Sequence, residues 1–233
     1  MALPKLNNVP QYETVIPSTQ EKVRFRPYLV KEEKVLMLAM ESQDQQQALN
    51  AVVDTIDSCV ENGVDRNKLT TFDVEYLFTR IRAKSVGETT KVSLKCSECE
   101  TPNEVVIPVE EIKIDVPKVN TRIELTDTIA VNLRWPRYND ILDLSKFSSQ
   151  TEMTFKMILR CIDTIESGEE RIMVKDEPES EVLEFIESLS GPQFDKIREF
   201  VDAMPQLKHK VQFKCGGCAH DNTLELQGMN DFL

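Results

Sequence analysis

Two segments of this 233-residue chain are near copies of one another: KVSLKCSECETPNEVVI at 91–107 and KVQFKCGGCAHDNTLEL at 210–226. They align Lys91 with Lys210, Val92 with Val211, Leu94 with Phe213, Lys95 with Lys214, one Cys-x-x-Cys pair with the other, and Asn103 with Asn222. Each copy reads as a strand, a tight cysteine-bearing turn and a returning strand. Residues 100–214, 115 in all, separate the pairs, so chemistry that uses all four thiols must bring distant parts of the chain together.

Four soft ligands in a tetrahedron are what zinc prefers, and a Cys-x-x-Cys turn supplies two thiolates with main-chain amides aimed at the sulfurs. Cys96, Cys99, Cys215 and Cys218 are therefore candidate ligands of one zinc ion. With all four positions filled by sulfur none is left for water, which makes the metal structural. Gly216 and Gly217 are read as relaxing the second turn, and Lys95 and Lys214 as offsetting the charge of the thiolates. The same residues admit redox dithiols, an iron–sulfur cluster or free thiols. A redox pair of the thioredoxin type sits at a helix N-terminus, whereas both pairs here lie between predicted strands. An iron–sulfur cluster takes the same ligands, but ribbon-like flanks suit zinc better. His220 reads as a solvated loop residue, and the isolated Cys59 and Cys161 as small buried apolar side chains.

The charge balance narrows the partners. With 40 Asp and Glu against 28 Lys and Arg the formal net charge is −12, so attraction to a phosphate backbone is weak and nucleic acid is not an expected partner. A zinc-ribbon nucleic-acid module would need a basic face and more than the single Trp135 among 6% aromatics. No stretch approaches the roughly 20 apolar residues of a membrane span. The opening MALPKLNNVPQYE lacks a charged region followed by an apolar run, so no export signal is expected. Glycine-rich phosphate loops, a nucleophile elbow and a His-Glu-x-x-His motif are all missing, and carboxylates such as Glu169 and Glu170 lie in charged runs typical of solvated faces. No enzyme is expected.

Periodicity divides the chain into five stretches. Residues 1–21, with Pro4, Pro10 and Pro17, predict an extended N-terminal arm. Residues 22–88 predict a short strand, KVRFRPY, and then three helices. The second helix carries Leu49, Val52, Val53, Ile56 and Val60 and ends near Gly63. The third, capped by Thr70 or Thr71, carries Val74, Leu77, Phe78 and Ile81. Residues 89–135 predict a β meander holding the first cysteine pair. Residues 136–205 predict a helical block, periodic from Tyr138 to about Glu166 and from Glu179 to Ala203 with a break at Gly191-Pro192. Residues 206–233 predict a β hairpin that packs on 89–135. The expected fold class is α+β: helical bundles flanking a small antiparallel zinc-ribbon-like module built from two distant hairpins.

The stretch YETVIPSTQEKVRFRPYLVKEEKVLMLAMES, 12–42, resembles the opening of T-even-type myovirus baseplate hub proteins. The residues that carry the resemblance are Tyr12, Pro17-Ser18 after an extended arm, Arg26-Pro27, and Glu32-Glu33-Lys34 leading into an apolar helix. The helix around Phe72 to Arg82 and the two cysteine segments are similar as well. The resemblance implies a hub subunit or hub assembly factor of a contractile tail. It would bind other baseplate or tail proteins, be made in the infected bacterial cytoplasm, and reach the virion tail baseplate if retained. The arm and first helix are the expected contacts, and the family supplies no catalytic residues to carry over.

Overall fold

The computed structural model describes residues 9–140 and 149–228, apart from the side chain of Gln150. Two compact units share the chain: residues 1–115 with 206–233, and residues 116–205 inserted between them.

The first unit begins with a hairpin of β1 (Tyr12–Val15) and β2 (Lys22–Phe25), in which Tyr12 lies opposite Phe25 with ring centroids 5.7 Å apart. The expected arm is therefore a strand of the body where it is described. Ile16 is 7% exposed and Pro17 is buried, because a prolines-and-polar segment can still pair once a partner strand accepts its extended backbone. Residues 1–8 lie outside the described residues.

Three helices follow: α1 (Val30–Glu41), α2 (Gln45–Cys59) and α3 (Thr71–Ser85). Asp44 caps α2 by accepting from the amides of Gln46 and Gln47, and Thr70 caps α3 in a reciprocal box with Asp73. The buried stripe of α2 (Val52, Val53, Ile56) meets that of α3 (Phe72, Val74, Leu77, Phe78, Ile81), and each such fully buried side chain contributes about 1.5–3 kcal/mol. The helix α2 stops at Cys59, earlier than expected, because Val60 turns extended and bridges to Phe25.

Two antiparallel hairpins complete this unit: β3 (Thr89–Lys95) with β4 (Pro102–Pro108), and β10 (Leu207–Lys214) with β11 (Asp221–Gln227). The short β5 (Lys113–Ile114) adds to the free side of β10. Beneath them Ile107, Val109, Ile112, Leu207, Val211 and Leu226 form one core with Ala83 of α3.

The second unit is a four-stranded antiparallel sheet in the order β6 (Arg122–Glu124), β7 (Ile129–Leu133), β8 (Ile162–Ser167), β9 (Glu170–Met173). It is covered by α4 (Gln150–Cys161), α5 (Glu179–Glu187) and α6 (Gly191–Asp202) around Val131, Ile158, Ile162, Ile186, Ile197 and Phe200. The expected meander over 89–135 is thus split: β3 and β4 belong to one unit, β6 and β7 to the other. The expected helix up to Glu166 is also corrected, since α4 passes directly into β8 at Ile162. Ile158, Cys161, Ile162 and Ile165 satisfy helical spacing, but Thr164 and Ile165 are β-branched and pair with β7 and β9. Part of that expected helix, 141–148, lies outside the described residues.

A candidate metal centre

The first unit brings the two halves of the sequence repeat face to face. In each copy the strand before the first cysteine and the strand after the second are fully paired, from Thr89 opposite Pro108 to Lys95 opposite Pro102, and from Lys208 opposite Gln227 to Lys214 opposite Asp221. The turns between them match bond for bond. The amide of Cys96 donates to the carbonyl of Thr101 at 3.0 Å, and that of Cys215 to His220 at 2.9 Å. Glu100 donates back to Cys96 and Ala219 back to Cys215, both at 3.0 Å. Glu100 and Ala219 take positive φ, 56° and 60°. Neither left-handed residue is a glycine, so the Gly-Gly of the second turn answers a different need. A Cβ at Gly217 would lie 3.0 Å from the Thr101 hydroxyl oxygen of the opposite hairpin, tighter than nearly all real contacts, so that Thr101 would have to give by a few tenths of an ångström, whereas Gly216 has ordinary space. Gly217 permits the close approach of the hairpins.

All four sulfurs lie within 4.8 Å of one another. Across the two hairpins, Cys96 Sγ is 3.7 Å from Cys218 Sγ and Cys99 Sγ is 3.6 Å from Cys215 Sγ. Four sulfurs each about 2.3 Å from one tetrahedral ion would be about 3.8 Å apart, so the spacing and the donor set fit zinc. A disulfide, at about 2.05 Å, is far shorter. The first cysteine of each pair, Cys96 and Cys215, is buried and the second, Cys99 and Cys218, is exposed. Main-chain amides favour ionisation of the buried sulfurs. The Cys215 thiol is drawn down to about 6 by the amides of Cys218 and then Gly217, which outweigh burial. At Cys96 burial pushes up, but the amides of Cys99 and Glu98 and the Asn222 side chain hold it below the ordinary value. The His220 amide favours the Cys218 thiolate, yet hydrogen bonding with Cys99, burial and the other two thiols push it up to about 12. Four adjacent thiolates need a cation to coexist.

His220 contributes its carbonyl to the turn and is not among the clustered ligands. Cys59 and Cys161 are buried elsewhere, and burial pushes their thiols up to about 11 and about 12, which leaves them inert. Sequence reading aligned Asn103 with Asn222 without giving them a role. Both side chains reach across to the opposite cysteine turn, which only the assembled pair reveals.

The other candidate positions cluster around the hairpin and α1. The amide and hydroxyl of Ser18 donate to the Asp73 carboxylate at 2.9 and 2.5 Å, beside buried Pro17. Arg26 donates to Glu32 at 2.9 Å, to the Ser58 carbonyl at 2.9 Å and to that of Pro27 at 3.0 Å. Glu32 also accepts from the amide of Leu29, closing the first turn of α1. Arg26 and Glu32 thus brace the start of α1 and Ser18 braces the start of α3, while Glu33 and Lys34 stand exposed and Tyr12 packs on Phe25. The first helix, expected from its apolar run to be a contact, presents much of that run outward: Val30, Met37, Leu38 and Met40 are 78%, 60%, 55% and 55% exposed. No helix among the described residues is long and apolar enough to cross a membrane.

The family described as T4 bacteriophage base plate protein matches residues 9–233, nearly the whole chain. No curated protein and no solved structure matches it.

Proposed function

The chain belongs to the T4 bacteriophage base plate protein family, and from that premise we propose that it serves the baseplate hub, as a subunit or as a factor that assembles it, by docking α1 on another tail protein. A phage baseplate structural protein works in contact with other phage proteins. The further proposal is that zinc on Cys96, Cys99, Cys215 and Cys218 stabilises the unit that carries α1. Held there, zinc would supply a cross-link between distant chain segments and no open coordination position.

The observation that carries the docking surface is α1 itself. Only Glu32 and Leu36 are buried, against apolar residues pointing outward on nearly every side: Val30, Val35, Met37, Leu38 and Met40. So many large apolar side chains left in water on one short helix mark a contact surface. Two methionines make the surface adaptable, and Arg26 and Glu32 fix the angle at which the helix leaves the body. A net charge of −12 opposes self-association, so the fitting occupant is an apolar groove with a neutral or basic rim on a different tail protein.

The paired substitution Met37→Glu and Leu38→Glu tests this. Both side chains already face water, so unfolding free energy is expected to stay within about 0.5 kcal/mol of the parent. Complementation of a phage lacking the protein is expected to fail at baseplate assembly. Normal assembly by a folded variant would remove α1 from the contact.

A further inference from the structure

The metal-centre reading leaves open what holds two hairpins, distant in sequence, in the register that the four sulfurs need. Asn103 and Asn222 occupy equivalent places in the repeat, one position into each returning strand. Each crosses to the other hairpin. Asn222 Oδ1 accepts from the amide of Ser97 at 2.9 Å and from its hydroxyl at 3.0 Å, while Nδ2 lies 3.4 Å from Cys96 Sγ. Asn103 Oδ1 accepts from the amide of Gly216 at 2.9 Å, and Nδ2 lies 3.8 Å from Cys215 Sγ. Each Nδ2 also donates within its own hairpin, to the carbonyl of Thr101 or of His220, two residues back.

The chemistry assigns the amide ends without ambiguity. A main-chain N–H can only donate, so the atom facing Ser97 or Gly216 must be the oxygen, which turns the NH₂ group toward sulfur. The partner of each asparagine is the first cysteine of the opposite pair, the buried one. Asn222 is itself 3% exposed, so its amide has no water to satisfy it in place of these bonds. An arrangement in which each half of a repeat completes the turn of the other is lost if either half is displaced.

We propose that Asn103 and Asn222 are positioning residues that clasp the hairpins reciprocally: each oxygen fixes the opposite cysteine turn and each NH₂ group directs a donor at its buried thiolate. This rests on the four-thiolate zinc reading, and the pair acts through the cysteines rather than on the metal. Groups that orient metal ligands typically change affinity by about 10–100-fold when removed.

The test uses the full-length protein and zinc itself, with transfer to a competing chelator and amide hydrogen exchange read together. Asn222→Asp keeps the oxygen that accepts from Ser97 and loses the donor to Cys96. It is expected to keep the Ser97 amide protected while weakening zinc about 10–100-fold. Asn222→Ala is expected to lose both. Asn103→Asp and Asn103→Ala should repeat the pattern at Gly216 on the less buried side, and they carry the test alone if the Asn222 variants do not fold. Cobalt substitution adds a signature that a merely structural role would not move: the thiolate-to-cobalt absorption band shifts in the Asp variants. Unchanged zinc affinity in folded Asp variants, or affinity that falls only in step with lost amide protection, overturns the clasp and leaves the metal site standing. Failure of the parent protein to bind zinc overturns both.

Discussion

The Ser18–Asp73 link shows how one polar contact ties a surface segment to the core. Asp73 is fully buried on the first turn of α3 and accepts from the Thr70 amide while the Thr70 hydroxyl accepts from its own amide. Its remaining capacity is taken by the amide and hydroxyl of Ser18, 55 residues away. The Pro-Ser of the family-like opening therefore ties the first hairpin to α3. Ser18→Ala is expected to cost about 1 kcal/mol in urea unfolding, and Asp73→Ala about 2–3 kcal/mol because it removes a cap and strands buried donors. The double variant should cost less than the sum, since both changes break one link. Strict additivity would mean that the residues stabilise the fold independently.

At the scale of elements, α1 depends on its first turn. Burial pushes the Glu32 carboxyl up, but the Arg26 hydrogen bond, the Leu29 amide and Lys31 outweigh it and hold it below the ordinary value of 4.5. A carboxyl that is more acidic folded than unfolded stabilises the fold fully above 4.5 and loses that contribution as pH falls through the lowered folded value. Glu32→Gln should therefore be less stable than the parent at neutral pH, with the difference shrinking as the solution is acidified below 4.5. Urea melts across that range check it, and a gap that persists unchanged into acid would show that the charge of Glu32 contributes nothing. The element that misled periodicity was β8. Its helix-compatible spacing runs on from α4, and the signal for its strand, the Ser167–Glu170 turn with Gly168 at φ 61°, sits at its far end.

At the scale of the molecule, the proposed zinc would act on one unit. Both cysteine pairs belong to the first unit and flank residues 116–205 in the sequence. A cross-link closing a loop of about 100 residues removes about 5 kcal/mol of unfolded-chain entropy. Chelation, or Cys96→Ser, is expected to lower the melting of the first unit by several degrees, while residues 116–205 expressed alone melt cooperatively and ignore the chelator. Elemental analysis should find about one zinc per chain. A metal-free, equally stable parent would sink the site, and a stable Cys96→Ser variant that had lost thiol exchange would favour redox chemistry.

The sequence by itself determined the local devices: Thr70 or Thr71 as the cap of α3, a separation of α5 from α6 marked by the Gly191-Pro192 that opens α6, the buried stripes of α2 and α3, and a duplicated hairpin whose four thiols must meet to hold one metal. These follow from short-range periodicity and side-chain chemistry, which act within a few residues. Tertiary structure alone decided which strands share a sheet, why Gly217 is glycine, where Ser18 finds Asp73, and which way Asn103 and Asn222 reach. Each of these joins residues far apart in the chain, where pairing depends on the approach of two surfaces rather than on the spacing within either.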